Sequence, residues 1–333
     1  MSTHPYRHSS IPEEILALSH ERDILRRRGQ YDRADLLKRQ LEEAGYLVKD
    51  NPHGAHLVIL PSINVDGKLY RTTRQLPSML EEPDLNTFSV IIVVQNNAMA
   101  ARRCCESILK YAGGANLEVL LVDNASQDGF DLWAETQRHR DSRVHLLRTS
   151  RTMPLGEARN VGLKQSHGRY IVLLDAAVEL TGDIFTPLAE ALADETIGLT
   201  GACGLHTDDL RHFEESTESE VEVIDGTCMA FKRSLLHETG LFDEHYRFPL
   251  YMDIDFSFSI RDEELQTIRL DNLPLVRHLE EQSSALSDSE RTRITKRNFY
   301  HFLEKWGDRD DLLLYSESEE DEEYVDEDED SDE

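Results

Sequence analysis

The sequence predicts an α/β fold with a mostly parallel central sheet, preceded by a small helical hairpin module and followed by an acidic tail. Three observations carry this. Aliphatic runs, "FSVIIVV" (88–94), "LEVLLVD" (117–123) and "RYIVLLD" (169–175), alternate with amphipathic stretches; strands read as unbroken Val/Ile/Leu runs when helices cover both faces of a parallel sheet. Each run ends in polar residues. Finally, residues 317–333 hold thirteen acidic residues and no basic one, a density of like charge that does not pack.

The 333 residues, 39% of them hydrophobic, suffice for one large domain and a small one. Residues 1–10 read as a flexible N-terminus without the apolar core of a secretory signal. No run of eighteen apolar residues occurs, so a cytoplasmic address is expected, with a peripheral place at the inner face of a membrane left open. Cys104, Cys105, Cys203 and Cys228 form no CxxC pair and read as buried thiols. The formal net charge is -29; without the last seventeen residues, 36 basic side chains face 52 acidic ones, leaving -16. Such a balance opposes attraction to nucleic acid.

Residues 11–60 read as one module. "IPEEILALSHERDILRRRGQ" and "YDRADLLKRQLEEAGY" predict two helices. Pro12 suits a first helical position, and Glu13 and Glu14 favour the start electrostatically. In the second helix Ala34, Leu37, Leu41 and Ala44 share one face, and Gly45 supplies the stop. "YLVKDNPHGAHLVIL" then predicts a β-hairpin about "DNPHG". The quoted helices with "NPHG" resemble the C-terminal helical region of cysteinyl-tRNA synthetases, which implies contact with a tRNA anticodon. Nine acids against eight bases weigh against that, and docking or oligomerisation is the other reading. Residues 61–87, with three prolines and no sustained period, are expected as a linker.

The main domain is expected over residues 88–310 and a disordered tail over 311–333. Helices "AMAARRCCESILKY" and "LGEARNVGLKQSH" separate its strands, with "VHLLR" (144–148) as a further strand. In such folds ligands bind outside the carboxyl ends of the strands, where Gln95, Asn96, Asp123, Asn124 and Asp175 would gather. "QNNAMAAR" contains no glycine, so the turn that admits a dinucleotide's pyrophosphate is missing and hydride transfer is disfavoured. Asp123 can accept hydrogen bonds from ribose or a base, or simply from its own turn.

"SVIIVVQNN", "VLLVDNASQDG", "LGEARNVGLKQSHGRYIVLLDAAVEL", "IDGTCMAFKRSLLHETGLFDEHY", "YMDIDFSFSIRD" and "RNFYHFLEKWG" occur in the order seen in family 2 glycosyltransferases. The segment 88–307 resembles that family. The resemblance implies a GT-A fold and inverting transfer of a sugar from a nucleotide-diphospho-sugar donor to a hydroxyl of a saccharide, lipid-linked or protein acceptor. It places Asn96 and Asp123 at the nucleoside, with Gln95 and Asn124 beside them, Arg159 near the donor, and Asp175 as the first carboxylate of the Asp-x-Asp motif. Ala177 stands where the second, metal-binding carboxylate belongs. Asp253 matches the catalytic base, with Asp255 at the substrate and Met252 where the family has Glu. His278 matches the late histidine that completes a metal site with Asp175.

These residue types suit the chemistry. The attacking hydroxyl must lose a proton, which a carboxylate in reach accepts; Asp253 and Asp255 could instead cap a helix. A divalent cation normally offsets the charge of the departing diphosphate. Mn2+ or Mg2+ wants several oxygen ligands, so with Ala177 in the motif the ion is expected to be weakly bound or absent, with Arg159 or Arg277 meeting the phosphates. Two functions stay open: a glycosyltransferase tolerant of these departures, or a catalytically impaired GT-A domain that binds nucleotide sugars or a partner. An RNA-associated role is opposed by the charge.

Overall fold

The structure is a computed structural model that describes residues 11–51, 54–247, 249–278 and 288–314. The first ten residues and the acidic run 317–333 lie outside the described residues.

Helices α1 (Glu13–Arg27) and α2 (Tyr31–Glu43) lead into the antiparallel strands β1 (Tyr46–Asn51) and β2 (Gly54–Ile59). Leu41, Val48 and Leu57 form a small core among them. Arg22, fully buried, grips Asp50 with its two terminal guanidinium nitrogens at 2.8 and 2.9 Å and so ties α1 to β1. Arg26 adds a 2.6 Å bond to the same carboxylate. Arg22 and Arg26 are thereby committed to an internal charge, and Asp50 is held below its usual carboxyl range chiefly by the Arg22 hydrogen bonds.

The stretch expected as a linker instead contains β3 (Ile63–Val65) and β4 (Lys68–Tyr70). These hairpin strands extend the main sheet, with Ile63 and Leu76 buried in its core. Strands of three residues are too short for a period of two to register in sequence.

The main domain proceeds through β5 (Asn86–Val94), α3 (Ala98–Tyr111), β6 (Leu117–Asp123), α4 (Phe130–Arg140), β7 (Val144–Thr149), α5 (Leu155–Lys164) and β8 (Gly168–Leu174). It continues with β9 (Val178–Leu180), α6 (Phe185–Leu192), β10 (Ile197–Gly201), β11 (Gly204–His206), β12 (Glu214–Ser216), β13 (Val223–Ile224) and β14 (Cys228–Lys232). The closing elements are α7 (Pro249–Arg261), β15 (Gln266–Arg269), β16 (Leu275–Arg277) and α8 (Asp288–Trp306). The nine-stranded sheet runs β15-β10-β14-β8-β5-β6-β7-β3-β4. Its centre, β8-β5-β6-β7, is parallel, and β14 inserts antiparallel between β8 and β10. A mixed α/β fold with a mostly parallel centre is thus present.

Period two divides the core. Phe88, Val90, Ile92 and Val94 of β5 face one apolar layer with α3, while Ile91 faces the other with α5 and α7. Gly168 begins β8 where a Cβ would lie 2.2 Å from the Ser89 backbone nitrogen, so only glycine lets β8 approach β5 there. The three cysteines Cys104, Cys105 and Cys228 are buried, and burial pushes the Cys105 and Cys228 thiols up to about 12. Residues 311–314, expected in the tail, are ordered against the domain: a 3-10 turn spans Asp310–Leu312, Leu312 is buried, and the Leu314 amide donates to Glu222 at 3.0 Å.

Candidate active site

Because β5, β6 and β8 are parallel neighbours, their carboxyl ends deliver polar residues to one edge of the sheet. At the end of β5, Gln95 and Asn96 are exposed, and Asn96 adopts a left-handed φ of 52°. Its side-chain oxygen accepts from the Gln127 amide at 2.7 Å, and its own amide donates to Ser126 Oγ at 3.2 Å. Asp123, at the end of β6, accepts from the Ser126 amide at 2.9 Å. The loop at Ser126 therefore brings Asn96 and Asp123 together. Burial raises the Asp123 pKa against the opposing hydrogen bonds from Ser126.

Asn124 has a different task from the one expected of it. It is buried, accepts from the Met153 amide at 2.8 Å and donates to the Met153 carbonyl at 2.9 Å. Its polar groups are spent on holding the loop before α5.

The second half of the site is built around the 225–227 loop. Asp175 follows β8, and its amide donates to the Thr227 carbonyl at 3.1 Å. Gly226 donates its amide to Asp253 Oδ2 at 3.0 Å, and the other oxygen of Asp253 pairs with Arg159 of α5. Both partners are buried. Phe242 supports the guanidinium with its ring, whose centroid is 5.2 Å from Cζ. A Cβ on Gly226 would sit 2.3 Å from Arg159 Nη2 and 2.7 Å from Asp253 Oδ2, so the loop passes where no side chain fits. Burial pushes the Asp253 carboxyl above its usual pKa, and Arg159 only partly offsets it. Loop 225–227 thus links Asp175, Arg159 and Asp253 into one array; a glycine beside Asp225 just before a strand was the available sequence signal.

Position 177 is buried alanine, whose amide donates to Asp175 Oδ1 at 2.8 Å. The other Asp175 oxygen meets Arg277 Nη2 at 3.2 Å. His278, expected to join Asp175, instead contacts Glu179 Oε2 at 2.8 Å. This follows from the pairing of β9 with β16, which sets the backbones of Ala177 and His278 against each other and runs Glu179 alongside. Glu179 was not anticipated.

Asp255 was expected beside the substrate and faces away from Asp253. Two residues apart on a helix are turned by roughly 200°. Asp255 Oδ1 accepts from Trp306 Nε1 at 2.8 Å, Lys305 Nζ at 2.9 Å and the Tyr246 hydroxyl at 3.3 Å. Its role is to fasten α8 onto α7. Met252 is buried, with Sδ 3.0 Å from where a Gly156 Cβ would be.

The family model for glycosyl transferase family 2 matches residues 89–254. Over 114 residues the chain is 27% identical to glycosyltransferase GlyG of Streptococcus pneumoniae, covering 33% of this chain and 38% of that protein. It therefore spans about two fifths of that relative's length. Among solved structures, GalNAc-T7 with UDP, GalNAc and Mn2+ superposes with a TM-score of 0.58 at 18% identity, covering 68% of this chain and 49% of that one. The mannosyltransferase PcManGT from Pyrobaculum calidifontis, in complex with GDP-Man and Mn2+, gives 0.52 at 19%, covering 69% and 66%. At such identities the structural likeness establishes the fold alone. Residues 89–254 match the glycosyl transferase family 2 model, and the chain shares the GT-A fold of these solved glycosyltransferases.

Proposed function

We propose that the chain is an inverting glycosyltransferase that moves a sugar from a nucleotide-diphospho-sugar to an acceptor hydroxyl. The observation that carries this reading is the convergence of Asp175, Arg159 and Asp253 on the 225–227 loop, at the same sheet edge as Asn96 and Asp123. In this reading Asn96 and Asp123, flanked by Gln95, hold the nucleoside. Asp253 takes the acceptor's proton: each carboxylate oxygen has a second lone-pair site beyond the bond it already accepts, and a pKa raised by burial strengthens it as a base.

The residues around Asp175 suit a guanidinium better than a metal ion. The second motif position is alanine, one Asp175 oxygen is bound by the Ala177 amide, and Arg277 sits at the other. His278 is engaged by Glu179. GalNAc-T7 and PcManGT were solved with Mn2+. Arg277 meets the diphosphate and offsets its growing charge.

A transfer screen with UDP-, GDP- and TDP-sugars, with and without Mn2+, tests this. Turnover is expected to persist in chelator, and Asp253→Asn to lower kcat by about 10²- to 10⁴-fold. Arg277→Ala should lose about 10²-fold in kcat/KM, the size of a lost oxyanion donor. A second reading, a nucleotide-sugar-binding domain without turnover, is favoured by Met252 and Ala177 in the motifs and by the engagement of both Asp253 oxygens. Donor binding without turnover selects it; absence of both defeats either reading. Residues 11–60 are taken as a docking or oligomerisation module, and retention of tRNA on a filter at moderate salt would instead restore the synthetase-like role. A cytoplasmic site of action, with access to the inner membrane face, fits the fact that no helix among the described residues is long and apolar enough to cross a membrane.

A further inference from the structure

Before α7, the loop that carries Phe242 meets α8 through three side chains that the transfer chemistry leaves unused. Asp243 Oδ1 lies 2.7 Å from His245 Nδ1, and Asp243 Oδ2 lies 2.7 Å from His301 Nε2. One ligand atom from each of the three falls within 4.8 Å of the others, and this is the one such trio among the described residues. We propose that Asp243, His245 and His301 form a binding site for a divalent transition metal of the zinc class, separate from the donor site and independent of the glycosyl-transfer reading.

The donor set decides the class of ion. Two imidazoles and one carboxylate suit Zn2+, Co2+ or Ni2+, whereas Mg2+ and Ca2+ want oxygen alone. Bonds of about 2.0–2.2 Å in tetrahedral array set ligand atoms about 3.4 Å apart. The Asp243 oxygen that binds the ion would have to open its 2.7 Å contact by about 0.7 Å, while the contact of the other oxygen gives way to the metal. The surroundings already orient the ligands. The His245 amide donates to Asp243 Oδ1 at 2.8 Å, and the Tyr246 ring lies 5.0 Å from that of His301. The His245 side chain is 75% exposed and that of His301 35%, so an ion can enter and water can complete its shell. Bound there, the ion would clip the loop before α7 to α8.

The test uses the full-length chain without a histidine tag, stripped of metal and titrated with Zn2+ against a chromophoric chelator. One equivalent is expected with a Kd of about 1 µM or tighter, together with a rise in melting temperature, since an ion that binds only the folded state stabilises it. His245→Ala and His301→Ala should each weaken binding at least tenfold. Co2+ should give the intense visible absorption of a four- or five-coordinate site, lost in both variants. No equivalent tighter than about 100 µM, or full affinity in His245→Ala, overturns the proposal and leaves a purely hydrogen-bonded trio. His245 is exposed, so that variant decides the matter even where His301→Ala fails to fold.

Discussion

A buried charge is expensive unless its partner stays in place, and the Arg159–Asp253 pair is buried on both sides. Replacing Arg159 with Met leaves the buried carboxylate with the Gly226 amide but without its counter-charge, and urea unfolding at neutral pH should show a loss of about 3–5 kcal/mol. Because burial raises the Asp253 pKa, its folded form holds a proton more tightly than the unfolded chain. The cost of ionising it therefore appears as pH rises above the ordinary carboxyl range, and the loss in Arg159→Met should shrink in acid. Gly226→Ala should disturb the same pair, since the added methyl would overlap both partners; a loss of about 1–3 kcal/mol is expected for such overpacking. At this scale the sequence was partly legible. Asp123 and Asp175 were readable because aliphatic runs lead into them. The Arg159 partner lies 94 residues away and that of His278 99 residues away, and no local pattern encodes such pairings.

Between elements, the lock of α8 on α7 passes through Asp255. Asp255→Ala would strand the Trp306 indole N–H and the Tyr246 hydroxyl, costing about 1.5–3 kcal/mol in chemical denaturation, while donor affinity should stay unchanged. A second lock sits at β11 and β13. His206 Nδ1 contacts the fully buried Glu222 at 2.8 Å and Nε2 contacts Asp208 at 2.8 Å, with Arg261 also acting on Glu222. Burial alone would lower the His206 pKa, but its bonds to Glu222 and Asp208 outweigh that and raise it. A raised imidazole pKa means stability fully present below the unfolded value of about 6.5 and lost as pH rises through the higher folded value. Denaturation midpoints should fall over that window, and His206→Gln should flatten the slope. The parallel strands and their helices were legible here, because long aliphatic runs and glycine stops state them locally. β3 and β4 were not, being three residues each and stabilised by a distant partner, and the backward-facing Asp255 was readable only by applying the helical period to "DID".

For the molecule as a whole, the sheet does not begin where its long strands begin. A chain starting at residue 61 keeps β3, and with it the cover over β7; one starting at residue 88 exposes that strand and the cavity left by Ile63 and Leu76. An uncovered edge is a template for association. Light scattering on heating should find the shorter chain aggregating several degrees earlier, and equal behaviour of the two would show the hairpin to be dispensable. The family segment was legible as an ordered set of motifs, whereas the extent of the folded unit was set by contacts that skip across the chain. The join of β3 to β7 also has a timetable. Ser62 and Ser150, which hydrogen-bond at that seam, are 88 residues apart, and at roughly 5–20 residues per second the ribosome needs about 4–18 s to deliver the second after the first. Through that interval the early hairpin emerges without its mate, so slowing translation between the two would lengthen the period in which a chaperone, or another nascent chain, can take the vacant place.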